Sequence, residues 1–426
     1  MSDVAIPTNA DPDKPVSPNT PRVGWKFIAI YVAAWTGVWM ALLPPVLVGL
    51  GLRVRAIDPD SATADLSLVM GVGALVAMFG NPLFGHLSDR TTSRFGMRRP
   101  WLIFGAIAGA GSLAMIACAT SIWQVLLGWC ITQLAYNAEL AALMAILPDQ
   151  VPERQRGLVS GAAGMGLPIG MVGGTFLVWA LADSTLAAFL VPALIAIVTA
   201  LCLAWVLPDR TLQRVALQGA GNASAPSAAV ARNPLRHPDF AWAWSSRFLL
   251  FMGIACLLTY QGFYLIQQFA VPVADVPRLI FISALVQCAA LTAASFISGS
   301  SSDALGRRKI FLFVAGLIYA LALVVIAAAP TFAWFLFGRL LSGIGEGMYS
   351  GAGNALAADV LPEKESDAGR NLGIYNMAAA LPQSLAPAIA PSILFAAGGS
   401  YAVLFFAAAA FAAAAALAIL RVRGVR

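Results

Sequence analysis

Three ionisable side chains lie deep inside long apolar runs of the chain: Glu139, Arg339 and Glu346. An ionisable group surrounded by hydrocarbon is costly, so these positions are candidate functional sites. Spacings of three, four and three residues place one polar set on a single helical face, namely Arg339, Ser342, Glu346 and Tyr349.

Arg339 and Glu346 are separated by two helical turns, roughly 10 Å of rise. A contact between them therefore requires water or another side chain. Two interpretations are open: Glu346 could bind and release a proton, because burial favours the neutral carboxyl, or it could only neutralise Arg339. For Glu139, the alternative is an interhelical hydrogen bond or a carboxyl that reaches toward water.

Polar and aromatic side chains form further stripes at helical spacing in the first, fourth and seventh apolar runs. In the first apolar run, an aromatic residue recurs every four residues before Pro44 and Pro45, which are expected to kink a helix. Aromatic faces with amide and phenol groups suit sugar rings and also flat drug-like molecules, and the alternative is packing or an interface belt. The candidate solute-binding set is Tyr31, Trp35, Trp39, Gln133, Tyr136, Asn137, Tyr260, Tyr264, Gln267 and Tyr349.

The composition indicates what must position these residues. The chain is 60% hydrophobic and 11% charged, with a mean hydropathy of +0.80, whereas soluble domains carry about 25% charged residues. This predicts an all-α integral membrane protein. The net charge of +6 sits in loops, so the lipid bilayer is an expected partner and nucleic acid is not. The five cysteines all lie in apolar runs without metal-ligand spacing, so no metal and no cofactor are expected.

Twelve runs are long enough to cross a bilayer, for which about 20 apolar residues are needed. They are roughly 26–50, 65–87, 100–119, 122–146, 157–181, 186–207, 241–268, 278–298, 310–329, 331–357, 371–393 and 399–420. The long polar stretch at 208–240 is interpreted as a linker. The predicted organisation is a disordered cytoplasmic tail at 1–25, a six-helix bundle at 26–207, the linker at 208–240 and a second six-helix bundle at 241–426.

Lysine and arginine are distributed unevenly between the two sides of the membrane. Of these 26 residues, 21 fall on the side of the tail, the linker, the C-terminus and the even-numbered loops. Only Arg53, Arg55 and Arg278 fall on the other side. By the positive-inside rule, both termini are predicted to lie in the cytoplasm, in a multi-pass protein of the cytoplasmic membrane.

A basic loop motif occurs once in each half, between the second and third apolar runs. Each copy has Gly, then Asp four residues later, then a second Gly followed by basic residues. The first Gly is expected to permit close helix approach. The motif residues are Gly85, Asp89, Arg90, Arg94, Gly96, Arg98 and Arg99, and then Gly299, Asp303, Gly306, Arg307 and Arg308. Runs four and ten also share an Asp-x-x-Pro-Glu-basic ending at 149–154 and 359–364, so the halves form a parallel repeat.

This loop motif resembles the signature of the major facilitator superfamily, and the resemblance covers nearly the whole chain. The first copy has four extra residues between Asp89 and Gly96, and in this it resembles the glycoside–cation symporters and plant sucrose carriers. The resemblance implies twelve transmembrane helices in two pseudo-symmetric six-helix bundles, with runs one, four, seven and ten around a central cavity. It also implies that the loops latch the cytoplasmic side. Sucrose carriers have an Arg at the position of Met144, so sucrose itself is not carried over.

No nucleotide-binding motif, nucleophile motif or phosphate loop is present, so an enzyme is not expected. Three transport hypotheses follow: a sugar or glycoside importer coupled to protons, an exporter of drugs or secondary metabolites, and an uncoupled facilitator. A non-transporting receptor is the binding-module alternative. The loop resemblance favours the importer, with H⁺ as coupling ion, a small-molecule solute as partner, and a monomer. The proton-coupling candidates are Glu346, Glu139 and Arg339, while the apolar cavity lining leaves export open.

Overall fold

The computed structural model describes residues 23–91, 93, 95–207, 234–360 and 368–423. Most of the predicted tail (1–22), most of the predicted linker (208–233) and Arg94 lie outside the described residues. The side chain of Asp303 is outside them as well.

The described chain folds into long helices, because a helix satisfies every backbone polar group within one segment in hydrocarbon. The first helix changes to a π-helical turn at Pro45–Gly49, where Pro45 has no N–H to donate. The helices are α1 (Trp25–Ile57), α2 (Ala62–Asp89), α3 (Arg99–Cys118), α4 (Ile122–Gln150), α5 (Glu153–Gly164 and Gly166–Ala180), α6 (Thr185–Val206), α7 (Pro238–Phe269), α8 (Val276–Leu305), α9 (Arg308–Ala327), α10 (Phe332–Val360), α11 (Ala368–Ala396) and α12 (Tyr401–Ile419).

Within the described residues, 11 helices are long and apolar enough to cross a membrane. The twelfth, α10, has 29 residues, but Arg339 and Glu346 lower its hydropathy. Helix α10 packs against both α8 and α9, as a central helix of the bundle does. The predicted all-α membrane fold with twelve helices is confirmed.

The two halves have the same pattern of helix packing. In the first half α1 packs against α5 and α6, α4 against α2 and α3, and α3 against α6. In the second half α7 packs against α11 and α12, α10 against α8 and α9, and α9 against α12. The two halves contact each other where α2 packs against α11 and where α5 packs against α8. Each contact is the counterpart of the other, because α2 corresponds to α8 and α5 corresponds to α11. This is the pseudo-two-fold arrangement of a parallel repeat.

The first and the second glycine of each basic loop motif have different structural roles. Gly96 and Gly306 have φ angles of 106° and 60°, a left-handed backbone that favours glycine. The predicted close approach at Gly85 is not seen, because a Cβ built there meets nothing within 4 Å. At Gly299 the nearest atom is 3.8 Å away, which is ordinary contact. The second Gly of each motif is thus explained by the turn. The expected close helix approach is not seen at Gly85, whereas α8 does approach α10 at Gly299, since a Cβ on Gly351 would lie 3.1 Å from the backbone nitrogen of Gly299.

Candidate functional site

A charged network joins helices α8 and α10 in the second half. The guanidinium of Arg339 donates to Oε1 of Gln287, and Nε2 of Gln287 donates to Oε2 of Glu346 at 2.9 Å. Arg339 is 0% exposed, Gln287 is buried and Glu346 is half-buried. The side chain that the two-turn spacing requires between Arg339 and Glu346 is therefore Gln287.

Sequence reasoning missed Gln287. Its position in the sequence could have indicated it, because Gln287 is a polar residue in the middle of an apolar run, as Glu139 and Glu346 are. The two helices approach closely at this level, since a Cβ on Gly343 would lie 2.4 Å from the carbonyl oxygen of Gln287. Only glycine at 343 lets α10 come near enough for the network to form.

The other deep carboxyl, Glu139, has a different environment. It is 0% exposed, and neither carboxyl oxygen has a hydrogen-bond partner among the described residues. It lies at the α3–α4 contact, where a Cβ on Gly105 would be 2.8 Å from the Cβ of Glu139. One turn away, the ring of Tyr136 packs against Gly109 of α3. Glu139 is thus sealed between two helices, whereas Glu346 is partly accessible.

The two halves can be aligned residue by residue along these helices. Gly128 of α4 packs against Ile116 of α3. The same contact recurs 210 residues later, where Gly338 of α10 packs against Ile326 of α9. The offset of 210 therefore relates α3–α4 to α9–α10.

By this offset, Glu346 occupies the position of Tyr136, and Tyr349 occupies the position of Glu139. Each half has one carboxyl and one phenol three residues apart, but in reverse order. The phenol of Tyr349 is buried, and Ser246 and Tyr375 lie next to it. Of the two carboxyls, the one that contacts Gln287 is Glu346, in the second half.

The α1 and α4 candidates lie where α1 contacts α4 and α5. Tyr31 donates its hydroxyl to the carbonyl of Leu143 at 2.8 Å, so it ties α1 to α4. Trp35 and Trp39 are half-buried, and their Cβ atoms face glycines of α5. On α4, the amide of Asn137 donates to the carbonyl of Gln133 at 2.8 Å.

The predicted α7 stripe divides between two roles. The hydroxyl of Tyr260 lies 2.5 Å from that of Ser67 on α2, across the contact between halves. Tyr264 donates to the carbonyl of Ile326 within the second half. Gln267 donates to the carbonyl of Gly399 at 2.9 Å. Tyr264 and Gln267 are therefore occupied in packing within their own half.

Among the described residues, several contacts between the halves lie toward one side of the membrane. We call the side that holds the loop at 90–98 the basic side, and the other the opposite side. Thr63, at the start of α2, has its hydroxyl 2.5 Å from that of Tyr401 at the start of α12. The rings of Trp179 and Phe281 stack between the ends of α5 and α8, with centroids 5.5 Å apart. These contacts, like that of Tyr260, hold the halves together near the opposite side.

On the basic side, one arginine of the first loop connects several elements. Arg98 lies 2.7 Å from Asp89, donates to Asp149 of α4 at 2.9 Å, and donates to Ser88 at 2.8 Å. The pKa of Arg98 is raised, since burial opposes its charge but hydrogen bonds to Asp89 and Asp149 outweigh burial. Arg98 fastens the loop to α4 within the first half, while Arg90 is exposed.

The next basic residue in each motif holds the end of a sixth helix. Arg99 donates to the carbonyl of Leu207, just after α6. Its counterpart Lys309 donates to the carbonyl of Val422, just after α12. A cation at a helix C-terminus interacts favourably with the free carbonyls there. Both loops therefore fasten the ends of their own bundle.

In the described part of the chain, twelve long helices in two like halves, with a buried charged network in one half, define a membrane carrier of the duplicated six-helix class. The sequence model of the Major Facilitator Superfamily matches residues 25–298 and 279–426. The chain belongs to this family, and the family resemblance of the loop motif is confirmed at that level. The similar solved structures are transporters rather than enzymes.

Curated relatives match over shorter segments. The sucrose transport protein SUC4 of Arabidopsis thaliana is 30% identical over 132 residues, which are 30% of this chain and 23% of that protein. The inner membrane transport protein YajR of Escherichia coli is 29% identical over 145 residues, 34% of this chain and 29% of that protein. The tetracycline resistance protein, class H, of Pasteurella multocida is 28% identical over 140 residues, 30% of this chain and 34% of that protein. The matches thus span about a quarter to a third of these relatives.

Solved structures are similar over nearly the whole chain. The nucleoside transporter NupG has a TM-score of 0.72 at 14% identity, covering 92% of this chain and 99% of that one. A bacterial homologue of the human lysosomal transporter Spinster, in an inward-facing conformation, has a TM-score of 0.67 at 16% identity, covering 93% and 98%. At these identities the likeness establishes the fold.

Proposed function

We propose that this chain is a secondary active transporter that moves a small organic solute across the cytoplasmic membrane, coupled to protons. The observation that carries the proposal is the Arg339–Gln287–Glu346 network, which joins two of the three ionisable side chains that lie deep in apolar runs. Charged groups in a membrane bundle mark ion and substrate pathways. We expect a monomer with both termini in the cytoplasm.

The positions of the contacts between halves support alternating access. The halves meet near the opposite side through Thr63, Ser67 and their partners. Toward the basic side Met144, six residues before the end of α4, is 52% exposed. We interpret this as a pathway open to the basic side, which would close when the halves rock about their interface.

Glu346 is the proposed carrier of the coupled proton, because it is partly accessible and one of its oxygens is held by Gln287. An acid that must load and unload a proton needs access to water. Glu139 lacks that access, and an ionised carboxyl without a partner in a low-dielectric interior is strongly disfavoured. Arg339 would favour release of the proton from Glu346, since a nearby positive charge favours the ionised carboxyl.

The favoured solute class is a sugar or glycoside. Two observations support it: the loop resemblance to glycoside–cation symporters and the segment shared with SUC4. The chemistry of the candidate residues agrees, since the side chains of Gln133, Trp35 and Trp39 are partly exposed. Amides bind hydroxyl groups, and aromatic faces suit the apolar face of a sugar ring.

Export of a hydrophobic drug or secondary metabolite by proton antiport is the second candidate. The specific observation is Met144, an exposed apolar and flexible side chain at a position where sucrose carriers have Arg. The segment shared with the tetracycline resistance protein is compatible with it.

Vesicles with an imposed pH gradient, tested against labelled sugars, glycosides and hydrophobic cations, distinguish these candidates. Symport predicts accumulation of a sugar or glycoside driven by the gradient, and antiport predicts expulsion of a cation. Glu346→Gln should abolish gradient-driven accumulation yet spare exchange between equal solute pools, because it removes the titrating group and nearly preserves size. Glu139→Gln is the matched control and should keep accumulation. Accumulation by Glu346→Gln at the wild-type level would refute Glu346 as the coupling site.

A further inference from the structure

The amide of Gln287 can adopt only one orientation in this network. A guanidinium has five N–H donors and no acceptor. The oxygen of Gln287 must therefore face Arg339, and the structure has it there. The nitrogen consequently faces Glu346 and donates to Oε2 at 2.9 Å. Arg339 thus determines which end of the amide meets the carboxyl.

The chain is tightly packed where this amide lies. Gln287 is 2% exposed, and α10 approaches its backbone at Gly343. The other titratable groups that face the network are Cys288 of α8 and Tyr319 of α9, both buried. Neither is a cation, so among these groups Arg339 supplies the positive charge, and Gln287 supplies the hydrogen bond that joins it to Glu346.

The first half has no such network at the corresponding position. The loop motifs relate α2 to α8 by an offset of 214, which pairs Gln287 with Gly73. The offset of 210 pairs Arg339 with Trp129. A Cβ on Gly73 would lie 2.3 Å from Nε1 of Trp129, so the indole fills the space that the amide occupies in the second half. The same helix contact is apolar in one half and charged in the other.

We propose that Gln287 is a positioning residue for proton coupling: held by Arg339, it presents an N–H to Glu346 and stabilises the ionised carboxyl during the transport cycle. This rests on the proposed function. No bond is made or broken at Gln287, and the proton moves only on and off Glu346. Because the first half has Gly73 and Trp129, coupling resides in the second half alone.

The test measures two quantities in vesicles: proton movement on addition of solute, and exchange between equal solute pools. A hydrogen bond to a charged group changes an equilibrium by about tenfold to a hundredfold. Gln287→Leu should therefore reduce solute-induced proton movement by about tenfold or more and leave exchange near wild type. Gln287→Met keeps the length of the side chain but has no N–H donor and no titrating group, so it should fail in the same way.

Gln268→Leu is the matched control, because this amide donates to the carbonyl of Ala329 at the end of α9. It should keep both activities. If Glu346→Gln abolishes proton movement but both Gln287 variants keep it, the inference is overturned while the proposed function stands. Loss of exchange and of thermal stability together with proton movement would show a merely structural role for Gln287, which also overturns it. Proton movement retained by Glu346→Gln would instead contradict the proposed function.

Discussion

Single residues of the same type have different roles in this chain, depending on what surrounds them. Of the arginines in the first basic loop, Arg98 is buried and joins Asp89, Ser88 and Asp149, whereas Arg90 is exposed. Exposed ion pairs contribute little, and hydrogen bonds between buried charged groups contribute more. Asp89 is 62% exposed, so its ion pair with Arg98 contributes the smaller part of the stabilisation.

Arg98→Ala should therefore destabilise the protein by about 2 kcal/mol and slow transport, because it frees the loop from α4. Thermal unfolding in detergent and initial uptake rates are the measurements. Arg90→Ala, which removes a charge from the same loop, is the control and should behave like wild type. Equal behaviour of the two variants would contradict a role for Arg98 in fastening the loop.

At the scale of helices, small residues determine which pairs come close. The α8–α10 contact requires Gly343, since an added Cβ would lie 2.4 Å from a backbone oxygen. Gly111 of α3, in contrast, has nothing within 4 Å of an added Cβ. Gly343→Ala should lower stability by about 1–3 kcal/mol through overpacking. Gly111→Ala should be neutral or slightly stabilising, because alanine favours a helix over glycine. Melting temperatures in detergent compare them, and equal values would contradict the close contact.

Helix ends on the opposite side are held together by hydroxyl groups of different halves. Removing the hydroxyls of Tyr260 and Tyr401 takes away two contacts with α2, each worth about 0.5–1.5 kcal/mol. The double variant Tyr260→Phe, Tyr401→Phe should favour opening on that side by about fivefold or more. Tyr264→Phe is the control, because its hydroxyl bonds within the second half.

Labelling of a cysteine introduced at Gly71 in a cysteine-free background reports this opening. A Cβ there would lie 3.6 Å from the carbonyl of Ser384 on α11, at the contact between halves. An impermeant reagent added on the opposite side should react faster in the double variant than in Tyr264→Phe. Equal rates would show that the two hydroxyls do not hold the halves together.

At the scale of the whole molecule, charge distribution predicts the orientation in the membrane. With 21 basic residues on one side and 3 on the other, the basic side should face the cytoplasm. In intact cells, a cysteine at Asn222 in the predicted linker should be protected from an impermeant thiol reagent, and a cysteine at Ala274 between α7 and α8 should react. Reaction at position 222 with protection at 274 would reverse the orientation.

The sequence by itself determined the membrane class, the twelve helices, the duplication and the family. These depend on local properties: the length of an apolar run, a loop motif and the residues at its ends. Arg98 belongs to the predicted loop motif, but the sequence does not distinguish its structural role from those of Arg90 and Arg99.

Only the tertiary structure decided which polar residues meet. Gln287 lies 52 residues from Arg339 and 59 from Glu346, and it joins them only because α8 and α10 touch at Gly343. Helical spacing predicted a shared face for Tyr260 and Tyr264, yet one contacts α2 of the other half and the other stays in its own. Spacing places residues on a face, but the rotation of each helix and the identity of its neighbour decide what that face contacts, and both arise from the packing of the whole bundle.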